Sequence, residues 1–472
     1  MRRRFFPVFR QMIQLTLTFL VVAVLGDITR AALPNVDELF RDLKSQAAEH
    51  STDVQIAQAS LHQRSAQQYT AFARWLPRLD LQISRSQSLD YSFATSGAFG
   101  NFGAAFTPQE TPLSRWSLNL SFPLYRRTVH TAYLEASAQK SLAEIQLEAK
   151  LTELDWRMRS HLGAYLLSAY RVATLESSIE LAKTNLREAR LRFELGQKTK
   201  IDVLKSEANL LSLESKRISY DQQKNSDLRT FLEFTGLGAK TFQNEPWGEL
   251  LKNEKSVSSA LDDFTQIQNA SQLLAPYLND EGEKRIEETI PRSSANYHAY
   301  LAQEEVSQAQ VKNLLAQEYP ELLIQGSLNK QGPQFADAFS PDQISHAISI
   351  VLNVPIFTGG ALISSYNEKK NAEHVSELQR ERDVIHFKNE VMNEVLQIRA
   401  FLKTIESQKT SAAQNEEIVR LSLKSYELGK INILELLTSQ NELIEAKIGL
   451  AKTKVDLSSL MHQLAWNLGV PL

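Results

Sequence analysis

Side chains that move protons, hold metals or attack carbonyls are sparse here, and few stand at a usable spacing. Nine histidines occupy positions 50, 62, 130, 161, 298, 346, 374, 386 and 462. None forms a His-x-x-x-His or His-Glu-x-x-His pattern, the pitch that sets two imidazoles on one helical face for a metal. The chain has no cysteine, which removes disulfides, thiolate metal sites, cysteine nucleophiles and lipid attachment through cysteine. No Gly-x-x-x-x-Gly-Lys-Ser/Thr loop is present to cradle a nucleotide, so energy must come from a partner. No serine sits in a nucleophile elbow. The adjacent carboxylates Glu287–Glu288 and Glu304–Glu305 fall on helical patterns, where a solvated face is the default. The expectation is no catalytic residue, no cofactor, no metal and no enzyme.

The elements that carry these residues are long. Of the 472 residues, 43% are hydrophobic and 23% charged, a composition that folds, and the net charge of −3 gives nucleic acid no basic surface. Only 17 glycines and 14 prolines interrupt the chain. The N-terminal segment 1–31 reads as a secretory signal: Arg2, Arg3, Arg4 and Arg10 precede an apolar run from Met12 to Gly26, too short for an ordinary membrane span. An uncleaved anchor is the other reading of that run. No later stretch approaches eighteen apolar residues, so any membrane insertion must use strands.

The chain repeats itself. Phe193-Glu194-Leu195-Gly196 recurs as Tyr426-Glu427-Leu428-Gly429, and 429 − 196 = 233. The same offset pairs Asp202 with Glu435, Leu204 with Leu437, Leu210 with Leu443 and Gly236 with Gly469. Upstream, Leu151, Leu154, Met158, Leu162, Tyr165, Ala169 and Val172 follow a seam of helical spacing, and each has an apolar counterpart at that offset. Rods are expected from about Val129 to Leu195 and from about Ala361 to Leu428, each on the order of 100 Å long at helical rise. Gly196 and Gly429 end them in left-handed turns. A second helix then returns, giving two hairpins with tips near 193–204 and 426–437. A soluble coiled coil is also compatible with these helices alone.

Between a leading helix and each rod lie two period-2 stretches. Leu79, Leu81 and Ile83 alternate with polar residues, as do Trp116, Leu118, Leu120 and Phe122; Leu322, Ile324 and Leu328 and then Ile344 to Val354 repeat the theme. The apolar face would be core in a soluble sandwich and lipid-facing in a barrel. Four strands cannot close a barrel, and lipid tolerates no open edge, so the membrane reading requires an oligomer. Loops are expected from about Ser86 to Leu113 and from about Lys330 to Gln343. Pro77 and Pro320 mark helix-to-strand junctions, and Pro123 and Pro355 mark strand-to-helix junctions.

Trp75-Leu76-Pro77-Arg78-Leu79, Phe122-Pro123-Leu124-Tyr125, Val354-Pro355-Ile356-Phe357-Thr358-Gly359-Gly360, and Arg192-Phe193-Glu194-Leu195-Gly196 with Ile201-Asp202-Val203-Leu204 resemble the TolC-type outer-membrane efflux proteins. The resemblance spans about Val36 to Leu472. It implies a mainly α fold with a membrane β-barrel: long helical hairpins forming a periplasmic tunnel, plus four transmembrane strands per chain closed as a twelve-stranded barrel in a homotrimer. It implies a periplasmic adaptor, an inner-membrane pump of the RND or ABC type, and outer-membrane lipid as partners, with no nucleic acid. The implied organisation is a signal peptide over 1–31, a first repeat over 32–237, an equatorial linker over 238–284 and a second repeat over 285–472. The adaptor-docking tips carry over to Arg192, Phe193, Gly196, Asp202 and Leu204, and to Tyr426, Gly429, Glu435 and Leu437. For Asp202 and Glu435, helix capping is an equal reading. The family commonly narrows its tunnel with acids near the second tip; here Glu416, Glu417 and Arg420 occupy that stretch. The expected role is a passive exit duct for drug efflux or type I protein secretion. A structural or adhesive periplasmic coiled coil is the reading from another class.

Overall fold

The computed structural model describes residues 36–93, 106–238, 254–265, 272–279, 281–334, 336, 340 and 344–470. The signal-peptide expectation and residues 94–105 of the expected first loop lie outside them. The elements in order are α1 (Val36–His50), α2 (Thr52–Ala73), β1 (Arg78–Phe93), β2 (Phe106–Tyr125), α3 (Arg127–Glu194), α4 (Lys200–Thr235), α5 (Glu254–Phe264), α6 (Gly282–Ser293), α7 (Ala295–Leu315), β3 (Glu321–Gly332), β4 (Ser345–Asn353), α8 (Ala361–Glu427) and α9 (Ile433–Leu468). The fold is mainly helical with a few antiparallel strands. Among the described residues no helix is long and apolar enough to cross a membrane. The chain divides into two compact units.

One unit comprises the described residues up to Gln55 together with Leu151–Thr289 and Val391–Leu472. Its interior follows from the seam periodicity. Met158, Leu162 and Tyr165 on α3 are buried, and so are their offset counterparts on α8, Val391, Val395 and Ile398. Along the hairpins, Leu175, Ile179 and Ala182 of α3 pack with Leu213 of α4 and with Ile444 and Ile448 of α9. Gly163 explains itself by closeness: a Cβ there would lie 2.9 Å from Val455 Cγ1 and 3.1 Å from a Phe264 ring carbon. The helix gives up roughly 1 kcal/mol of propensity at that glycine in exchange for contact with α5 and α9.

The other unit comprises Ile56–Lys150 and Ile290–Glu390 and holds the sheet. Its four antiparallel strands run in the order β1-β2-β3-β4. Opposed residues share a face, so the register sorts the side chains. One face carries Leu79, Leu120, Gly326 and Ile348 in one row and Leu81, Leu118, Leu328 and His346 in the next. The opposite face carries Asp80, Asn119, Ser327 and Ala347, then Gln82, Ser117, Asn329 and Ser345. The apolar face is bare: Leu79, Leu81, Leu328 and Leu352 are exposed, and Ile348 is 84% exposed.

The strands outrun the expected loops. Ladder pairing continues to Phe93↔Phe106, so residues 86–93 and 106–113 belong to a long hairpin rather than to a loop. β3 likewise runs to Gly332, past the expected start of the second loop at Lys330. Backbone hydrogen bonds need no alternation of side chains, so the ladder persists after the period-2 signal fades.

Candidate functional site

The two hairpin tips form the candidate site, and both lie in the first unit. Each is closed by the same backbone device. At the first tip, Gly196 adopts φ +74°; its N–H donates to Phe193 O (2.9 Å) and the Gln197 N–H donates to Arg192 O (2.8 Å). At the second, Gly429 adopts φ +73°; its N–H donates to Tyr426 O (3.0 Å) and the Lys430 N–H donates to Ser425 O (2.8 Å). These are paired Schellman closures, which satisfy the orphan carbonyls at the helix end.

The return helices start alike. Thr199 caps α4: its Oγ1 accepts from the Asp202 N–H (3.4 Å), and its own N–H donates to Asp202 Oδ2 (3.0 Å). Asn432, the residue at the matching offset, caps α9: its Oδ1 accepts from the Glu435 N–H (3.0 Å), and its Nδ2 donates to Glu435 Oε1 (2.7 Å). Asp202 and Glu435 therefore do capping work in this structure. Thr199 and Asn432 were absent from the sequence-based site. The Thr-x-x-Asp spacing just after the glycine carries their signal.

Between tips the side chains diverge. Tyr426, Ile433, Leu436 and Leu437 form a buried cluster, joined by Leu423 and Ile431. The offset positions on the first tip are Phe193, Lys200, Val203, Leu204, Arg190 and Lys198, of which Val203 is buried while Phe193 and Leu204 are exposed. The first tip turns its cations onto the second: the Arg192 guanidinium carbon lies 5.4 Å, and Lys198 Nζ 4.7 Å, from the centre of the Tyr426 ring. Burial raises the Tyr426 phenol above its ordinary value, so it stays neutral. Deeper in the hairpins, Asn185 Nδ2 donates to Gln440 Oε1 (3.2 Å), and Lys216 pairs with Glu445 at 3.1 Å.

The acidic stretch lies on α8 before the second tip. Glu417 is clamped by Arg420, whose Nε donates to Glu417 Oε2 at 2.6 Å and whose Nη2 reaches the other oxygen. The Arg420 hydrogen bond holds the Glu417 carboxyl below its usual range. Glu416 is exposed on the same turn. Pro77 and Pro320 directly precede β1 and β3, and Pro355 lies between β4 and α8. Pro123 lies inside β2, where the register with β3 shifts between Pro123 and Tyr125. Among the described residues no cluster of His, Cys, Asp and Glu is arranged to hold a metal.

Comparison with known proteins bears on what such tips and strands serve. The family model for outer membrane efflux proteins matches residues 295–469. Over those residues the chain is similar to this family. It is 22% identical over 435 residues to alkaline protease secretion protein AprF of Pseudomonas aeruginosa, across 89% of this chain and 82% of that one. It is 21% identical to nodulation protein T of Rhizobium leguminosarum bv. trifolii, across 92% and 86%. Its fold is similar to that of the Campylobacter jejuni CmeC outer membrane channel, with TM-score 0.73 and 15% identity over 94% of this chain and 88% of that one. The fold is that of a solved outer-membrane channel.

Proposed function

We propose that this chain is one third of a passive exit duct: three copies close a twelve-stranded barrel in the outer membrane, and their hairpins form a tunnel reaching into the periplasm. The observation that carries this reading is the sheet, apolar and bare on one face, polar on the other, with open edges at β1 and β4. Water would penalise that apolar face and lipid would not. A soluble adhesive coiled coil gives it no place. Closing the edges between copies satisfies the backbone groups that lipid cannot.

In this reading residues 32–237 and 285–472 are the two repeats, 238–284 links them, and 1–31 is removed on export. A periplasmic adaptor docks on the tips, through Arg192, Phe193, Gly196, Asp202 and Leu204 and through Tyr426, Gly429, Glu435 and Leu437. It bridges to an inner-membrane pump, and the pump supplies the energy. Substrate passes a constriction near Glu416, Glu417 and Arg420. Because Arg420 neutralises Glu417, that constriction discriminates cations less than bare carboxylates would. One relative is named for the secretion of an alkaline protease, which favours type I protein secretion as the second reading beside drug efflux.

Planar bilayers test the duct. Purified protein should give discrete ion-conducting steps, larger when the tips are loosened. Absence of conductance from a verified trimer would remove the duct reading.

A further inference from the structure

We propose that the cleft between the start of α3 and the end of α7 is a binding site for a phosphate ester, the headgroup of an anionic lipid at the barrel rim; its place at the rim rests on the barrel proposed above. The cleft holds about 540 Å³, ample for a headgroup, and its whole lining lies in the unit that carries the sheet. Arg127, His130 and Leu134 line it from α3. Lys312, Leu315 and Tyr319 line it from α7 and the tight turn that follows. Steps of three and four residues put each set on one face of its helix, so two facing stripes make the groove.

Charge singles the cleft out. The adjacent Arg126 takes Glu321 at 2.9 Å, and Lys140 and Lys370 of the same unit pair with Glu144 and Glu373. Among the described residues Arg127 and Lys312 have no such carboxylate. The Arg127 guanidinium carbon instead lies 4.2 Å from the centre of the Tyr319 ring, which holds the group without neutralising it. The one carboxylate of the lining, Glu305, stands two turns from Lys312 along α7, on the order of 10 Å away. Two cations left without an acid select an anion, and the guanidinium fork suits phosphate. Leu134 and Leu315 add an apolar wall, which a bare ion would not use and an esterified chain would.

Position points to the lipid. Arg127 follows the last residue of β2 by two, and Tyr319 precedes the first residue of β3 by two. The cleft therefore begins where the strands end. Trp75, Tyr125 and Tyr319 stand at this same end of the sheet, all exposed. Aromatic side chains of this kind belong at the headgroup level of a membrane.

The full-length protein in detergent is sized by light scattering and titrated with dioleoylphosphatidylglycerol under native mass spectrometry. Dioleoylglycerol, which lacks the phosphate, and inorganic phosphate as competitor run beside it. The phosphatidylglycerol should be retained and dioleoylglycerol should not. R127Q/K312Q should weaken retention roughly tenfold or more, the loss of about one hydrogen bond to a charged group. K140Q/K370Q, which removes the same charge elsewhere, should match the parent. Leu134→Glu, an acid on the exposed wall, should also weaken retention and serves if the double variant does not fold. Equal retention by every variant, or of both lipids, overturns the site. Inorganic phosphate that displaces the lipid at equal concentration supports a phosphate site and overturns the lipid as its occupant. A conducting trimer with no preference for the phosphate overturns the site and leaves the duct standing. Specific retention by a chain that neither trimerises nor conducts keeps the phosphate site and removes the duct.

Discussion

At the first tip Leu204 is 52% exposed; its counterpart at the second tip, Leu437, is 5% exposed. Phe193 is 40% exposed with Lys200 Nζ 5.7 Å from its ring centre, while Tyr426 at the matching position is buried under Arg192 and Lys198. Yet both tips close with the same hydrogen bonds around a left-handed glycine and restart with the same kind of cap shortly after it. The two tips share a backbone and differ in surface. The first tip exposes Phe193 and Leu204 and lays Arg192 and Lys198 on Tyr426 of the second, whose Tyr426, Ile433, Leu436 and Leu437 form a buried cluster. The first tip is thus the better candidate for contact with a partner, and the second for holding the pair together.

That division of labour breaks first if the buried seat is not special. Leu437→Ala should cost about 2–5 kcal/mol and Leu204→Ala less than about 1 kcal/mol, because only the former opens a cavity. Tyr426→Ala should cost as much as Leu437→Ala. Tyr426→Phe should cost little, since the phenol oxygen is buried without a hydrogen-bond partner. Hydrogen exchange of peptides covering 420–440 and 187–207 reads these locally. Equal protection losses in the two leucine variants would dissolve the contrast.

The shared backbone makes the opposite demand. At both tip glycines an added Cβ would meet nothing within 4 Å, so Gly196→Val and Gly429→Val should each cost only the left-handed strain, about 1–2 kcal/mol. The two values should agree. Gly236→Ala should cost more, because its Cβ would lie 2.4 Å from His50 O. Adaptor pull-down with each tip variant checks the partner assignment: the Gly196 variant should lose more binding, and unchanged export in both would displace the tips from the docking site.

Much of this was legible in the chain. The glycines, the seam and the fixed offset located both hairpins, because a long helix leaves a dense periodic signal and a glycine stop needs no tertiary context. Strand cores were legible from alternation, but strand length was not. Residues 86–93 pair with 106–113 through backbone groups, and those groups leave no mark in side-chain pattern. Tip burial was hidden for another reason. Leu204 and Leu437 are the same residue in the same backbone frame, but Leu437 is covered by Tyr426, Ile433 and Leu436 with Leu423 and Ile431, where the first tip carries Lys200, Arg190 and Lys198 at three of those offsets. The caps were readable yet easily passed over, since Thr199 and Asn432 differ in type while doing one job. Thr199→Ala and Asn432→Ala should each cost about 1 kcal/mol, and similar losses in tip hydrogen exchange would confirm that the caps belong to the common backbone.

The smallest expected effect lies at the hairpin roots, where the same offset pairs His161 with Glu394 and Phe234 with Asn467. In the second copy this contact is polar: Asn467 Nδ2 donates to the buried Glu394 Oε1 at 2.8 Å. In the first it is aromatic, with the His161 and Phe234 ring centres 5.2 Å apart. Burial lowers the His161 imidazole below its ordinary value, Arg157 lowers it further, and Asp227 opposes them. The unfolded chain therefore takes up a proton near pH 6.5 that the folded chain resists. Stability contributed by neutral His161 is complete above that pH and declines as pH falls from about 6.5 toward the depressed folded value, flattening below it. Because the ring is only partly buried, the loss should be modest and confined to the first copy. Hydrogen exchange of peptides covering 157–165 and 230–236 should quicken between pH 7.5 and pH 5 relative to the intrinsic rate, and His161→Phe should abolish that change. An identical response in the peptides around Glu394 and Asn467 would mean that the two roots share one electrostatic environment and that their difference is in composition alone.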